Sequence, residues 1–132
     1  MSIDLLHDKI RKMKNPSIID FGIKSDSLPQ HLLEEEGSAL KAYSRFCYEL
    51  MDGLKDIAPA VRFPFGAFAL LGADGLLELK NLLSKAQELG YYVLLDGPEI
   101  FTPWAADRAA EAVFGTGEYS CDGMMISPYI GS

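Results

Sequence analysis

Cysteine is scarce in this chain: Cys47 and Cys121 are the two in 132 residues. Neither lies in a CxxC pair or a Cys/His cluster, so zinc-site spacing is absent and no metal is expected. Cys47 falls on the apolar stripe of a predicted helix, where a small buried hydrophobe is expected rather than a reactive thiol. Positive charge is in deficit, with 12 Lys and Arg against 19 Asp and Glu and a net charge of −7. Binders of nucleic acid or of anionic membranes carry the opposite sign, so neither is an expected partner. No run reaches the ~18 apolar residues of a membrane span. The longest apolar region, Phe63 to Leu71, is broken by Pro64 and Gly66. Met1 to Lys14 mixes charge of both signs without the apolar core of a signal peptide, so a cytoplasmic location is expected. GxGxxG and P-loop motifs are missing. His7 and His31 have no Ser, Cys or Asp arrangement around them that suggests a triad.

What is present is a packed core. The chain is 48% hydrophobic, well above the range of disordered sequences, and residues 1–132 read as a single domain. Leu5, Leu6, Ile10 and Met13 recur at helical spacing after Ser2, and Asn15-Pro16 stops that helix. Ser17 to Ile23 reads as a strand. Gln30 to Glu36 is acidic and partly helical, and its Glu34-Glu35-Glu36 run reads as a solvated face. Ser38 caps a longer helix whose stripe is Leu40, Tyr43, Phe46, Cys47, Leu50, Met51 and Leu54. Pro59 to Phe63 is the second predicted strand, Gly72 to Gly75 a turn, and Leu76 to Leu89 a helix closed by Gly90. Tyr91 to Leu95 is continuously apolar, as buried parallel strands are. Thr102-Pro103 opens a helix through Phe114, and Gly123 to Ser127 is a fourth strand. This alternation predicts an α/β fold of parallel (βα) units with right-handed crossovers.

In such folds reactive groups gather at the C-terminal ends of strands. Those ends carry Lys24, Arg62, Asp96 with Glu99, and Pro128-Tyr129. Asp96 and Glu99 could act as an acid/base pair or hold a hard cation, although their spacing is equally that of a turn cap and a solvated acid. Arg62 could clamp an anion but is a poor proton donor, with a pKa above about 12.

Four blocks of the chain then resemble one family, in its order and spacing. NPSIIDFGIKSDSLP (Asn15 to Pro29) resembles NPxVVGLDPxxxxLP. VRFPFGAFALLGADG (Val61 to Gly75) resembles VKPQxAxYExxGxxG. DGPEIFTPWAADRAAEAVFG (Asp96 to Gly115) resembles DxKRxDI with its following Thr- and Ala-rich helix. DGMMISPYIGS (Asp122 to Ser132) resembles DAxTVNPYLGxD. The pattern is that of the orotidine 5′-phosphate decarboxylases of the longer bacterial type. The resemblance implies a TIM barrel that converts orotidine 5′-phosphate to UMP and CO₂ without metal or organic cofactor, by a network of Lys and Asp. Such barrels typically need about 200–250 residues. The chain is therefore expected to form four strands, as a half barrel or an open sheet, matching the N-terminal half and lacking the phosphate-binding groups of the other half.

Carried over residue by residue, the network is mostly replaced. The Asp of the first strand falls on Gly22, and the Lys of the second strand becomes Arg62. Asp96 matches the first Asp of the third block. The proton-donating Lys falls on Pro98 and the second Asp on Phe101. Asp96 and Arg62 are thus the catalytic remnants, and Pro128, in the SPY triplet, the substrate-binding candidate. Little or no decarboxylation is expected from this chain alone. The alternative is a non-catalytic half-barrel module that self-associates or pairs with a complementary chain, suggested by the apolar Phe63, Phe65, Phe68, Phe101 and Trp104. A weaker third reading is a repurposed small-molecule site of Asp96, Glu99 and Arg62, for which a nucleotide is the ligand class to test.

Overall fold

The computed structural model of the chain describes residues 2–22, 27–96, 103–114, 119 and 121–125. Helix α1 spans Ser2–Met13 and ends where Lys14 turns to a positive φ of 55° before Asn15-Pro16. Strand β1 is Ile18–Asp20, helix α2 Gln30–Glu36 and helix α3 Ala39–Leu54. Strand β2 is Ala60–Pro64, followed by α4, Phe65–Leu70, and α5, Gly72–Glu88. Strand β3 is Tyr92–Asp96, helix α6 Pro103–Phe114 and strand β4 Gly123–Met125.

The four strands lie in one parallel sheet in sequence order, β1-β2-β3-β4. The fold is α/β, made of the parallel (βα) units of the TIM-barrel type that the alternation of elements predicts. Ile19, Val61 and Val93 share one register row, and Phe63, Leu95 and Met124 another. All these side chains point to the face that carries the core. There Phe21, Val61, Phe63, Val93 and Leu95 are fully buried against Ala42, Cys47, Met51, Phe68 and Leu79. Phe63 stacks on Phe21 at 5.0 Å and meets Phe68 edge-on at 6.3 Å.

Local signals work where they are expected to. Ser38 caps α3, its Oγ accepting the Lys41 N–H at 3.2 Å, and so satisfies one of the orphan donors of the first turn. Gly90 takes φ 87° after α5. Its N–H bonds the Gln87 carbonyl and the Tyr91 N–H bonds the Ala86 carbonyl, the paired closure that a left-handed residue allows. Tyr91 donates its hydroxyl to the Met51 carbonyl at 2.6 Å, joining the end of α3 to the start of β3.

The region after β2 departs from the sequence reading. Phe63 to Leu71 runs on from strand into the short helix α4, and α5 begins at Gly72 rather than at Leu76. Gly75 lies inside α5, not in a turn. A Cβ there would stand 2.2 Å from the Phe68 carbonyl oxygen. Glycine therefore serves close approach of α5 to α4, which a propensity rule reads as a break. The same region corrects the view of Phe63, Phe65 and Phe68 as a docking face. Phe63 and Phe68 are fully buried, and Phe65 packs edge-on against Tyr119 at 5.7 Å. Phe63 and Phe68 are core and Phe65 packs against it, because β2 and α4 turn their aromatic sides toward the helix layer. Phe101 lies outside the described residues, as does the Trp104 side chain.

Candidate functional site

The C-terminal ends of β1, β2 and β3 bring three charged side chains together on the sheet face opposite the core. Asp20 is opposite Arg62 in the β1–β2 register, and Asp96 ends β3 two positions beyond Leu94, the partner of Arg62. Side chains two apart on a strand share a face, so all three project the same way. The Arg62 guanidinium sits between the two acids. Its Nη1 donates to Asp20 Oδ1 at 2.6 Å and its Nη2 donates to Asp96 Oδ2. Its Nε donates to the Met125 thioether at 3.1 Å. Planar and permanently charged, a guanidinium suits this bridging geometry better than a lysine ammonium would.

Two of the three residues are the ones the sequence singles out, Arg62 and Asp96. Asp20 is not among them. The motif places a carboxylate at Gly22, and only the fold shows that Asp20 reaches the same ground. Its Oδ1 also accepts the Gly22 N–H at 2.8 Å, a local turn that folds the carboxylate over the end of β1. The available signal was the strand's period of two, which puts 20 and 22 on one face. Pro98, Glu99 and Pro128 lie outside the described residues, as does Lys24.

Chemically the cluster is one cation between two anions. Formal charges sum to −1 at neutral pH, and no ammonium group belongs to the trio. An arginine held by two carboxylates orients them and offsets part of their charge; it does not deliver a proton near pH 7. Among the described residues no group of three or more His, Cys, Asp or Glu is placed to hold a metal ion.

Elsewhere the titratable groups serve the core or the surface. Burial pushes the Cys47 thiol far up and the Cys121 thiol to about 11, so both are poor nucleophiles at neutral pH. Arg45 pairs with Glu35, Glu36 and Glu49 at 2.5, 3.2 and 3.0 Å on the surface. The Arg45 hydrogen bond and charge hold the Glu35 carboxyl below its usual range. This agrees with reading the acidic run as a solvated face. A groove of about 580 Å³ between α3 and α5 includes Glu36, Tyr48, Glu49, Leu77 and Glu78 in its lining. It is built on the helix layer, and Asp20, Arg62 and Asp96 do not line it. No helix among the described residues is long and apolar enough to cross a membrane.

Comparison with known proteins agrees with the motif blocks. No protein-family model matches the chain. Orotidine 5′-phosphate decarboxylase of Rhodopirellula baltica is 29% identical over 103 residues, covering 74% of this chain and 34% of that protein. Among solved structures, an orotidine-monophosphate decarboxylase assignment from Toxoplasma gondii superposes with a TM-score of 0.80 at 16% identity, over 97% of this chain and 41% of its own. The OMP decarboxylase of Leishmania donovani superposes with a TM-score of 0.68 at 20% identity, over 99% and 46%. At these identities the solved structures speak for the fold alone. The chain spans about a third of its curated relative and less than half of the solved chains. Sequence match, motif order and fold agree in making the chain similar to part of the orotidine 5′-phosphate decarboxylases.

Proposed function

We propose that this chain is a degenerate relative of orotidine 5′-phosphate decarboxylase that catalyses little or no decarboxylation on its own. The observation that carries this reading is the engagement of Arg62 by both Asp20 and Asp96. Decarboxylation leaves a carbanion that must be protonated, and a group whose pKa exceeds about 12 transfers a proton poorly at neutral pH. The resemblance puts the proton-donating lysine at a position that Pro98 occupies, and proline has no ionisable group. Two carboxylates remain to repel a substrate carboxylate, but the cation between them offsets that repulsion. The three charges hold strand ends in place rather than stress a substrate. The test is loss of orotidine 5′-phosphate absorbance with the purified 132-residue chain. A rate at the uncatalysed background is expected. Turnover well above background overturns the reading.

A second reading, an interaction module, has one feature in its favour. Ile18 on β1 and Met125 on β4 are 48% and 46% exposed, on the two outer strands of the described sheet. Outer strands with exposed apolar side chains invite pairing with a further chain. Self-association or a complementary half barrel would cover them. Light scattering that gives a stable, monodisperse monomer counts against this reading, and a dimer or larger species supports it.

A further inference from the structure

The end of β1 holds two positions that point into one space. The Phe21 N–H bonds the Arg62 carbonyl at 3.0 Å, so the backbone keeps its pairing with β2 past Asp20. Residues 20 and 22 therefore stay on one face. The Asp20 Oδ1 takes two donors, the Gly22 N–H at 2.8 Å and Arg62 Nη1 at 2.6 Å. A Cβ built on Gly22 would stand 3.0 Å from that same Oδ1 and 3.0 Å from that same Nη1. Any side chain at 22 would thus press on the pair that Asp20 and Arg62 form.

We propose that positions 20 and 22 share a single slot beside Arg62, with Asp20 as the positioning residue that anchors the guanidinium and glycine at 22 as the condition for it. A carboxylate reaches this slot from 20 without displacement when 22 is bare; a Cβ at 22 makes Asp20 or Arg62 give way by a few tenths of an ångström. With both filled, two anions would crowd one Nη1 and a Cβ would intrude. With neither, Arg62 keeps Asp96 and Met125 among the described residues, and β1 loses this side-chain tie to β2. The slot explains why the first-strand carboxylate lies two residues upstream of where the motif places it. A strand period of two makes that shift without changing face. The proposal concerns the geometry of Arg62, and it stands or falls independently of any turnover by the chain.

The test is a mutant cycle on the 132-residue chain, read by thermal unfolding and by the Arg62 Nε–H signal in ¹H–¹⁵N spectra. Gly22→Ala is expected to lower Tm by about 3–6 °C. In the Asp20→Gly background the same change should cost less than half of that, because the crowding partner is gone. The exchange Asp20→Gly with Gly22→Asp should recover most of the Tm that either change loses singly. Asp20→Gly should shift the Arg62 Nε–H signal and speed its exchange with water, an effect that general destabilisation does not produce at temperatures well below unfolding. Should the aspartate exchange fail to fold, the alanine cycle still decides. Equal losses for Gly22→Ala in both backgrounds, or an Arg62 signal unmoved by Asp20→Gly, overturns the proposal.

Discussion

Along β2, Val61 and Phe63 are fully buried under the helix layer, while Arg62 between them keeps 21% of its side chain in water. Its partners Asp20 and Asp96 are 58% and 41% exposed. The same strands thus carry two faces with different physics. One face is stabilised by area removed from water and by close packing, which are strong, non-directional and insensitive to salt. The other is held by charge-assisted hydrogen bonds in a half-exposed setting, which are directional, screened and individually weak. The first face can be replaced only by something of the same volume. The second depends on charge and on the direction of its hydrogen bonds rather than on volume. That difference accounts for a chain whose scaffold blocks match a family while its strand ends depart from it.

The largest expected effect breaks the covered face. Phe63→Ala removes a ring that stacks on Phe21 and meets Phe68. It should cost about 3–5 kcal/mol in denaturant unfolding, much of the roughly 5–15 kcal/mol a domain has. A loss under about 1 kcal/mol would mean that this face is not the core.

The open face should respond less and differently. Arg62→Ala leaves Asp20 and Asp96 without their shared cation. A cost of about 1–2 kcal/mol is expected, discounted for the exposure of both acids. Added salt should narrow the gap between variant and parent, since it screens the exposed pairs. A gap that salt leaves unchanged would argue that Arg62 acts through packing of its stem.

A third response is alkaline and belongs to the edge of the covered face. Burial raises the Cys121 thiol from 9.0 to about 11 and the Tyr91 hydroxyl from 10.0 to about 12. Below about pH 8 both states hold these protons, so stability is flat. Above it the unfolded chain releases protons that the folded chain keeps, so the unfolded state binds fewer and stability falls. A progressive loss is expected between pH 9 and 11, measured by urea midpoints. Cys121→Ala should reduce the lower part of that slope, which the buried Cys47 thiol shares; an unchanged slope would assign it to other groups.

Much of this was legible in the sequence because it is local. The Ser38 cap, the Gly90 closure, the Asn15-Pro16 stop and the stripe through Tyr43, Cys47 and Met51 each depend on neighbours within a few residues. Arg62 and Asp96 were legible as strand-end residues. The α4 helix was not, since Pro64, Gly66, Gly72 and Gly75 all read as breakers. What overrides them is the packing of Phe68 in the core and the backbone approach at Gly75.

By itself, then, the amino-acid order determined the succession of strands and helices, their caps, the buried stripe and the likeness to a family of barrels. Only the tertiary structure decided which charges meet. Asp20 and Asp96 lie 42 and 34 residues from Arg62 along the chain, and no local rule pairs residues at such distances. Parallel register does, by setting Asp20 opposite Arg62 and Asp96 one pleat further on the same face. Asp20 thereby stands on the same face as position 22, because a pleated strand returns to the same face every second residue.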